Sequence, residues 1–554
     1  METKPWFKQS KIIHFDRNRP FKDVWEYVSN PENIASHAFY PFIRFSLRVK
    51  IYEQKREQKR EQKQGKQKQG KLVRLEKPKK REISYASHLD SNIFSFYAEK
   101  LTDKYENLLK NENCGQSVIA YRKDLGKSNV DFALDAFVKV KKFCEANQQD
   151  CIVAICYDIK DFYGSLDHKI LKEKLCEVLQ TGNPAQLPKD YFNIYKAMTK
   201  FSWVEKDALL EPLGINKKWL SARDCFCQNA KEFREKVRAN QLIQSNKQCY
   251  GIPQGSSISP VFSNIYMLSF DREMTQYAEQ RNAFYLRYSD DILWLCLENS
   301  CAEDKEKIES ELRELRLEVN GDKKKESRFK YNNGMIENIP EQGKGKAVPL
   351  EYLGFSFNGK CCYLRNKTLS NYYIKMSRFI TRLKRLAAYS KQDCGELYIG
   401  KIYRGFSHLA KKQAKRTNFI LYALEADKKF KEAGLRSGIR HQIRKHWDFI
   451  HRQIKKEKRM EVEAVGFSHI EGKDKEGKDV DFVRLHILRA ASTTSRKDIT
   501  TTEGGKIPES IYVEVKCFDK LKDFSYPCVL LLKTEEKIRE RKVESEVIDV
   551  ELKK

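Results

Sequence analysis

Two adjacent carboxylates interrupt an apolar, strand-forming run, and this feature constrains the fold more than any other. The run FYLRYSDDILWLC, residues 284–296, has branched and aromatic residues on both sides of Asp290 and Asp291. Such residues favour β-strands, so the pattern predicts two short strands with the acids at the tip between them. Adjacent carboxylates repel each other and lose hydration, which is costly unless a cation compensates. The simpler interpretation is a solvated turn, where acids are common.

A third carboxylate, Asp158, ends a second apolar run. Residues 151–157, CIVAICY, have the continuous apolar character of a buried strand. If this strand and the hairpin are neighbours in one sheet, Asp158 approaches the acid pair. Such a set would hold two metal ions about 3.5–4 Å apart for an in-line phosphoryl displacement. The alternative is that Asp158 caps a helix predicted over residues 168–179.

A glycine-containing loop lies between these two acidic segments. Residues 251–260, GIPQGSSISP, place Gly251, Pro253 and Gly255 within five positions. These residues permit a tight loop and a close approach of the backbone to a ligand. The apolar segment that follows, residues 261–267, predicts a helix packed on the sheet.

Six segments of the chain, taken in order, resemble the motifs of the reverse transcriptase family. They are the fingers segment at residues 79–83, the first palm motif at 158–163, the second at 251–260, the third at 288–291, the fourth at 317–323 and the primer grip at 352–357. Any one of them would be a weak signal, but their order and spacing make the resemblance specific.

The resemblance implies an α+β fold, a right-hand polymerase with fingers, palm and helical thumb. Outside the resemblance, four apolar, branched runs predict strands in a small β-rich C-terminal appendix: residues 467–470, 480–488, 511–515 and 528–532. It implies RNA-directed DNA synthesis at two Mg²⁺ ions. Asp158 and Asp290, with a backbone carbonyl near Ile159, would bind these ions, and Asp291 would support them. One ion would lower the pKa of the primer 3′-hydroxyl, and the other would stabilise charge on the leaving pyrophosphate.

The resemblance also implies nucleotide and primer contacts. The nucleotide-binding residues would be Arg81, Tyr163, Gln254, Gly255 and Lys323, and the primer grip would include Leu353 and Gly354. Arg81 would hold the triphosphate, and Lys323 would donate a proton to pyrophosphate. Tyr163 would lie beneath the sugar and reject a 2′-hydroxyl; the alternative is that it is an ordinary core residue.

Further segments are similar to those of bacterial defence-associated reverse transcriptases. They are YASHLDS at 85–91, AYRK at 120–123 and GKSNVDFA at 126–133. The Val-Thr-Gly of retron enzymes and a Cys-rich endonuclease pattern are both absent from the sequence. The resemblance therefore implies antiphage defence with a dedicated noncoding RNA as template. Two alternatives stay open: a template-independent or protein-primed DNA polymerase of the same fold, and a non-catalytic RNA-binding scaffold.

Composition agrees with a nucleic-acid enzyme. The 554 residues include 106 Lys and Arg against 77 Asp and Glu, a net charge of +29 that attracts phosphate backbones and anionic lipid alike. No apolar stretch approaches the roughly 18–20 residues that span a bilayer. The 15 cysteines fit a reducing compartment. We expect a bacterial cytoplasmic protein whose partners are RNA, dNTPs and a DNA product, with no membrane; a homo-oligomer stays open.

Changes in sequence character predict four regions. They are an N-terminal extension and fingers at 1–150, a palm at 151–360 with an elaboration at 169–250, a basic helical thumb at 361–458 and a β-rich domain at 459–554. A low-complexity tract at residues 53–71, built on repeated EQKR, has no apolar residue and cannot bury a core. The tract predicts a solvated helix or a mobile loop, with an RNA-gripping arm as the alternative.

The predicted thumb combines an apolar stripe with basic residues at helical spacing. The basic residues include Lys375, Arg378, Arg382, Lys384 and Arg385. The stripe predicts a core-facing side. The basic face predicts contact with a template–primer duplex, the alternative being a merely solvated face.

Overall fold

The structure is a computed structural model. It describes residues 4–49, 52–54, 72–74, 79–122, 125–182, 186–216, 220, 223–321, 324–341, 345–389, 399–409, 418–454, 458–473, 479–492, 510–513, 528–539 and 542–552. The chain divides into two compact units, Met1–Tyr352 and Leu353–Lys554. The finer division into four regions stays a prediction.

A five-stranded antiparallel sheet forms the centre of the first unit. Its strands, in spatial order, are Met335–Ile339, Lys325–Asn332, Cys151–Asp158, Asp291–Leu297 and Phe284–Tyr288. The continuous apolar run therefore forms the middle strand, as its lack of a polar face predicts. The two strands around the acid pair are confirmed, and they are neighbours of the strand that ends at Asp158.

Helices cover this sheet and bury its apolar side chains. In the described part of the unit they span Phe21–Val28, Pro31–Ala35, His88–Lys110, Asn129–Ala146, Phe162–Ser165, His168–Leu179, Lys189–Thr199, Ala230–Glu232, Ser259–Tyr266, Leu268–Gln280 and Cys301–Glu314, with 3₁₀ turns at Asn113–Gln116 and Lys206–Leu209 and a π-helical segment at Phe233–Arg238. Phe262 and Ile265, from the helix predicted after the glycine loop, share one core with Val153, Ile155 and Trp294 of the sheet. Burial of these side chains fixes the loop against the sheet.

A second sheet of this unit contains the predicted fingers segment. Its strands, in spatial order, are Lys79–Tyr85, Phe42–Val49, Ser202–Glu205 and Gln244–Ser245, and the short strands Tyr52–Gln54 and Leu72–Arg74 pair separately. Most of the low-complexity tract, residues 55–71, lies outside the described residues. The prediction for that tract therefore stays open.

The strand Leu350–Tyr352 ends the first unit, and the second unit begins with a short hairpin and a helical region. The strands Phe355–Phe357 and Cys362–Leu364 pair antiparallel. Helices follow at Asn366–Tyr389, Ile399–Phe406, Phe419–Glu432, Ile439–Ile443 and His446–Ile454. The apolar stripe of the first helix is buried at Tyr372, Met376, Ile380 and Leu383, so the predicted core-facing side is confirmed.

The C-terminal part of the second unit is a closed five-stranded sheet. Its strands, in order around the closure, are Lys458–Lys473, Asp479–Ser492, Ser510–Val513, Lys542–Leu552 and Cys528–Arg539. Strands were predicted in four of these places, and the segment Lys542–Leu552 was missed. The mixed helices and sheets confirm the predicted α+β class. Among the described helices, none is both long and apolar enough to cross a bilayer.

Candidate active site

The acid pair lies at a tight turn beside the end of the middle strand. Tyr288 pairs with Asp291, which leaves Ser289 and Asp290 as the turn between the strands. Ser289 takes a left-handed backbone conformation with φ +58°, as two-residue hairpin loops require. Asp158 pairs directly with Asp291. Side chains of directly opposite residues leave the same face with Cβ atoms about 4.5–5.5 Å apart, so these two carboxylates are neighbours. We call residues 289–291 the carboxylate turn.

Backbone hydrogen bonds fix Asp158 from both sides. The Ile159 N–H donates to the Asp290 carbonyl at 3.3 Å. In an extended chain the N–H and C=O of one residue point to the same side, so the Ile159 carbonyl is directed towards the turn. On the other side, Asn320 donates its backbone N–H to the Asp158 carbonyl at 2.8 Å and its side-chain amide to Asp158 Oδ2 at 3.2 Å. Asn320 lies in the predicted fourth motif, but its role was not predicted.

The capping alternative for Asp158 is wrong. The helix His168–Leu179 begins as predicted, but its N-cap is Asp167. One carboxylate oxygen of Asp167 accepts from the backbone N–H groups of Lys169 and Ile170 at 2.9 and 3.1 Å. Asp158 therefore has no part in that cap.

The donor atoms at this edge suit a hard cation. Among the described residues, no group of three or more His, Cys, Asp or Glu side chains is assembled closely enough to hold a metal ion. Mg²⁺ does not need such a group, since one or two carboxylates suffice when substrate phosphates and water complete its coordination. The neighbouring carboxylates of Asp158 and Asp291, with Asp290 in the same turn, fit that requirement. The number of ions stays a prediction.

A buried arginine holds the carboxylate turn in place. Arg287 is fully buried, and its Nε and Nη2 donate to the two carboxylate oxygens of Asp271 at 2.7 and 2.6 Å. Its Nη1 donates to the Ser289 carbonyl at 3.0 Å and to Asn264 Oδ1 at 3.2 Å. Burial alone would lower the pKa of Arg287, but the Asp271 carboxylate outweighs burial and raises it. The arginine therefore remains charged, and it ties the third motif to the helices that follow the second.

Tyr163 connects all three palm-like motifs. Its side chain is partly buried against the core, and its hydroxyl interacts with the side chains of Tyr121, Ser263 and Ser289. Burial, followed by the neighbouring Tyr121, raises the pKa of Tyr163, so the phenol stays neutral. Its backbone carbonyl accepts from the Ile252 N–H at 2.9 Å. This position is compatible with both a sugar gate and a core residue, and the role stays a prediction.

The glycine loop is joined to the strand that contains Arg81. The Ser84 N–H donates to the Gln254 carbonyl at 2.8 Å. Gly255 has φ +122°, and a Cβ atom there would lie 2.5 Å from the Ser84 carbonyl oxygen, so only glycine fits. Arg81 is exposed, three residues or about 10 Å earlier in the same strand. Local structure therefore places Gln254 and Gly255 against Ser84, in the same strand as Arg81.

For three predicted site residues, Lys323, Leu353 and Gly354, the proposed roles are not tested. Lys323 lies outside the described residues. Leu353 and Gly354 begin the second unit in left-handed conformations, with φ +45° and +91°. The Gly354 carbonyl accepts from the Arg365 N–H at 3.0 Å. Their roles in proton donation and primer binding stay predictions.

Two of the three defence-like segments, at residues 120–123 and 126–133, pack beside the carboxylate turn. The Tyr121 ring lies 6.3 Å from the Tyr288 ring, and the Phe132 ring lies 6.2 Å from it. The Ile119 N–H also donates to the Arg287 carbonyl at 3.0 Å. These segments therefore contact the strand that leads into the acid pair.

A comparison with models of known protein families finds that one family matches this chain. The model of the family described as "Reverse transcriptase (RNA-dependent DNA polymerase)" matches residues 76–357, just over half of the chain. No curated protein matches the sequence.

Solved structures similar to this chain include two telomerases. Apo telomerase from Candida Tropicalis, truncated from its C-terminal domain, is 14% identical with a TM-score of 0.35, and the match covers 51% of this chain and 52% of that one. Telomerase from Candida albicans in complex with the TWJ fragment of telomeric RNA is 13% identical with a TM-score of 0.33, and the match covers 68% and 61%. The chain spans about half to three fifths of the length of these structures.

Proposed function

This chain belongs to the reverse transcriptase family, and from that premise we propose that it is an RNA-directed DNA polymerase with a catalytic centre at Asp158, Asp290 and Asp291. The observation that carries the proposal is the register of two strands. It sets Asp158 directly opposite Asp291, with Asp290 in the adjoining turn. A solvated turn would not need a third carboxylate from the neighbouring strand.

The proposed metal chemistry follows from where the three carboxylates and the Ile159 carbonyl lie. Asp158 and Asp290, with the Ile159 carbonyl, would bind two Mg²⁺ ions, and Asp291 would support them. When bound, the ions supply a lowered pKa for the primer 3′-hydroxyl and charge stabilisation on the leaving pyrophosphate. The protein mainly positions the reactants. The Asn320 side-chain amide donates to Asp158 Oδ2 at 3.2 Å. This hydrogen bond would hold the Asp158 carboxylate in position to bind the ions.

Nucleotide selection is assigned to residues around the glycine loop. Arg81 would bind the triphosphate, while Gln254 and Gly255 would line the pocket for template and nucleotide. Tyr163 would exclude the 2′-hydroxyl, and Lys323 would protonate pyrophosphate. The Ser84–Gln254 hydrogen bond supports this assignment because it fixes the Arg81 strand to the loop.

Primer extension tests the polymerase assignment. Purified protein with a defined RNA template, an annealed DNA primer, dNTPs and Mg²⁺ should lengthen the primer by the sequence that the RNA encodes. Extension should stop when EDTA removes the metal. Products that ignore the template sequence would contradict RNA-directed synthesis and favour a template-independent polymerase of the same fold.

We further propose a role in antiphage defence in the bacterial cytoplasm, with a dedicated noncoding RNA as template. Support comes from the defence-like segments, whose Tyr121 and Phe132 contact Tyr288 beside the acid pair. A net charge of +29 is also compatible with a resident RNA.

Sequencing the copurifying RNA and its DNA product should give one recurrent template. Phage plating on cells with the wild type should be reduced relative to Asp290→Asn, and equal plating would contradict the defence role.

A further inference from the structure

An open pocket with a volume of about 660 Å³ lies between two helices of the first unit. The helices are His168–Leu179 and Lys189–Thr199, and the Tyr195 hydroxyl joins them by donating to the His168 carbonyl at 2.8 Å. Helical spacings of three and four residues direct the lining side chains of each helix to one side. We call this the basic pocket and define it by Lys169, Lys172, Phe192, Tyr195, Lys196 and Lys200.

The positive charge of the basic pocket is not neutralised by neighbouring acids. Within the described part of the chain, none of its four lysines forms an ion pair. The one carboxylate in the lining, Asp167, is only 4% exposed and already pairs with Arg316. It also accepts two backbone N–H groups at the start of its helix. Four uncompensated ammonium groups around one concavity repel each other, and a bound anion would relieve that repulsion.

An exposed aromatic surface lies beside these lysines. Phe192 is 45% exposed, and its ring stacks with that of Tyr195 at 6.2 Å with an interplanar angle of 29°. The Lys172 ammonium lies 5.8 Å from the centre of the Phe192 ring. Aromatic faces next to a basic groove are the usual platform for an unpaired base and its phosphate. The combination therefore favours a nucleotide over a simple inorganic anion.

The basic pocket adjoins a second pocket that is lined by the chain just after Asp158. This second pocket, of about 330 Å³, shares Asp167 and Arg316 with the basic pocket. It is also lined by Lys160 and Glu318, which pair next to Asp158. None of the three carboxylates lines either pocket, so a strand or nucleotide in the basic pocket would not contact them.

We propose that the basic pocket is a second nucleotide-binding site, which takes phosphate on its lysines and a base on Phe192. This goes beyond the polymerase proposal, because binding here requires none of the three carboxylates. The nucleotide would come either from a single-stranded nucleic acid or from a free nucleoside triphosphate.

The test is binding of a fluorescein-labelled ten-nucleotide oligouridylate to the full chain, in EDTA and without dNTPs, over a range of salt concentrations. One variant changes Lys169, Lys172, Lys196 and Lys200 to Ala. A matched control changes four other lysines, each paired with an acid: Lys22, Lys127, Lys141 and Lys231. The separate variant Phe192→Ala tests whether a base stacks on the Phe192 ring. Melting temperatures verify that each variant is folded.

The pocket variant should bind at least about tenfold more weakly, and its salt slope should flatten by about 3 if each of the four lysines contacts one phosphate, since each single-strand phosphate contributes about 0.7. Phe192→Ala should weaken binding about tenfold with an unchanged slope. Displacement of the strand by ATP would assign the site to free nucleotides, and displacement only by unlabelled strand to single-stranded nucleic acid. Equal effects of the pocket and control variants, or no effect of either, would overturn the proposal. Since no catalysis is measured, failure here is separate from failure of the polymerase assignment.

Discussion

Residues that contact no substrate set the geometry of the carboxylate turn. Arg287 and Asp271 are both fully buried, and their ion pair offsets the cost of removing two charged groups from water. The third Arg287 donor is then available for the Ser289 carbonyl. The ion pair thereby determines where the next residue, Asp290, places its carboxylate.

Replacing both residues of this ion pair should restore the stability of the fold but not the rate of nucleotide incorporation. Arg287→Met alone leaves Asp271 buried and unpaired, which should cost about 3–5 kcal/mol of unfolding free energy. Adding Asp271→Leu removes the buried charge, and most of the stability should return. Incorporation should remain at least about tenfold below wild type, because Ser289 has lost its donor. Denaturant unfolding and single-nucleotide incorporation measure the two effects; recovery of both in the double variant would mean that the pair is merely structural.

Tyr163 gives a prediction about sugar selection. If its ring lies beneath the sugar, Tyr163→Ala should raise the ratio of kcat/KM for ribonucleotides to that for deoxyribonucleotides by about tenfold or more. Tyr163→Phe keeps the ring and should leave that ratio nearly unchanged. The measurement is single-nucleotide incorporation with each sugar. Loss of activity with both sugars, and no change in the ratio, would support the core interpretation.

At the residue level, the sequence predicted acids but not the groups that hold them. Asp158, Asp290 and Asp291 stand out because charged residues interrupt apolar runs. Arg287 interrupts the same run, and that signal was available. The hydrogen bonds from Arg287 to Asp271 and from Asn320 to Asp158 join residues that are not neighbours in the sequence. The spacing of apolar and polar residues does not reveal such pairs.

At the level of elements, the glycine loop and the Arg81 strand form one assembly. The Gly255 backbone lies so close to Ser84 that no side chain fits between them. A shift of this loop would therefore also move Gln254 relative to the Arg81 strand.

Gly255→Ala tests this contact. The added methyl group would meet the Ser84 carbonyl oxygen at 2.5 Å, and displacement of the loop by about 1 Å should lower kcat/KM for dNTPs about 10²-fold. Gly214→Ala is the matched control, since Gly214 also has a positive φ, +62°, but an added Cβ there would meet nothing within 4 Å. Steady-state kinetics compare the two. Equal losses would show that the contact with Ser84 does not matter for nucleotide use.

Elements with strong local signals were predicted most accurately. The helix His168–Leu179 has a capping aspartate and buried leucines at helical spacing. The strand Lys542–Leu552 was missed because acidic residues recur through it, as in a solvated segment. Its partners are set by closure of the sheet, which local sequence does not encode.

At the scale of the whole molecule, the charge of +29 exceeds what the polymerase centre requires. Part of it lies on the helix Asn366–Tyr389, where Lys375, Arg378, Arg382 and Arg385 are exposed at spacings of three and four residues. Lys384 is not on this face, since its ammonium donates to the Ile454 carbonyl at 2.6 Å. The structure thus narrows the predicted basic face to these four exposed residues.

Neutralising this face should weaken binding to an RNA–DNA duplex. With Lys375, Arg378, Arg382 and Arg385 changed to Gln, the slope of log affinity against log salt should flatten by about 3 to 4, if each residue contacts about one phosphate. Product yield should fall as well. The variant with Lys22, Lys127, Lys141 and Lys231 changed to Ala loses the same formal charge elsewhere. Equal slopes for the two variants would show that net charge, and not this helix, attracts the duplex.

The central claim is that Asp158, Asp290 and Asp291 form the catalytic centre of an RNA-directed DNA polymerase. Its most direct test is Mg²⁺-dependent primer extension on an RNA template by the variant that combines Asp290→Asn with Asp291→Asn. Asp135→Asn, which changes a half-exposed acid paired with Lys127, is the control. We predict that the double variant loses orders of magnitude in incorporation rate, while its melting temperature stays near that of the control. Wild-type incorporation by the folded double variant would contradict the claim.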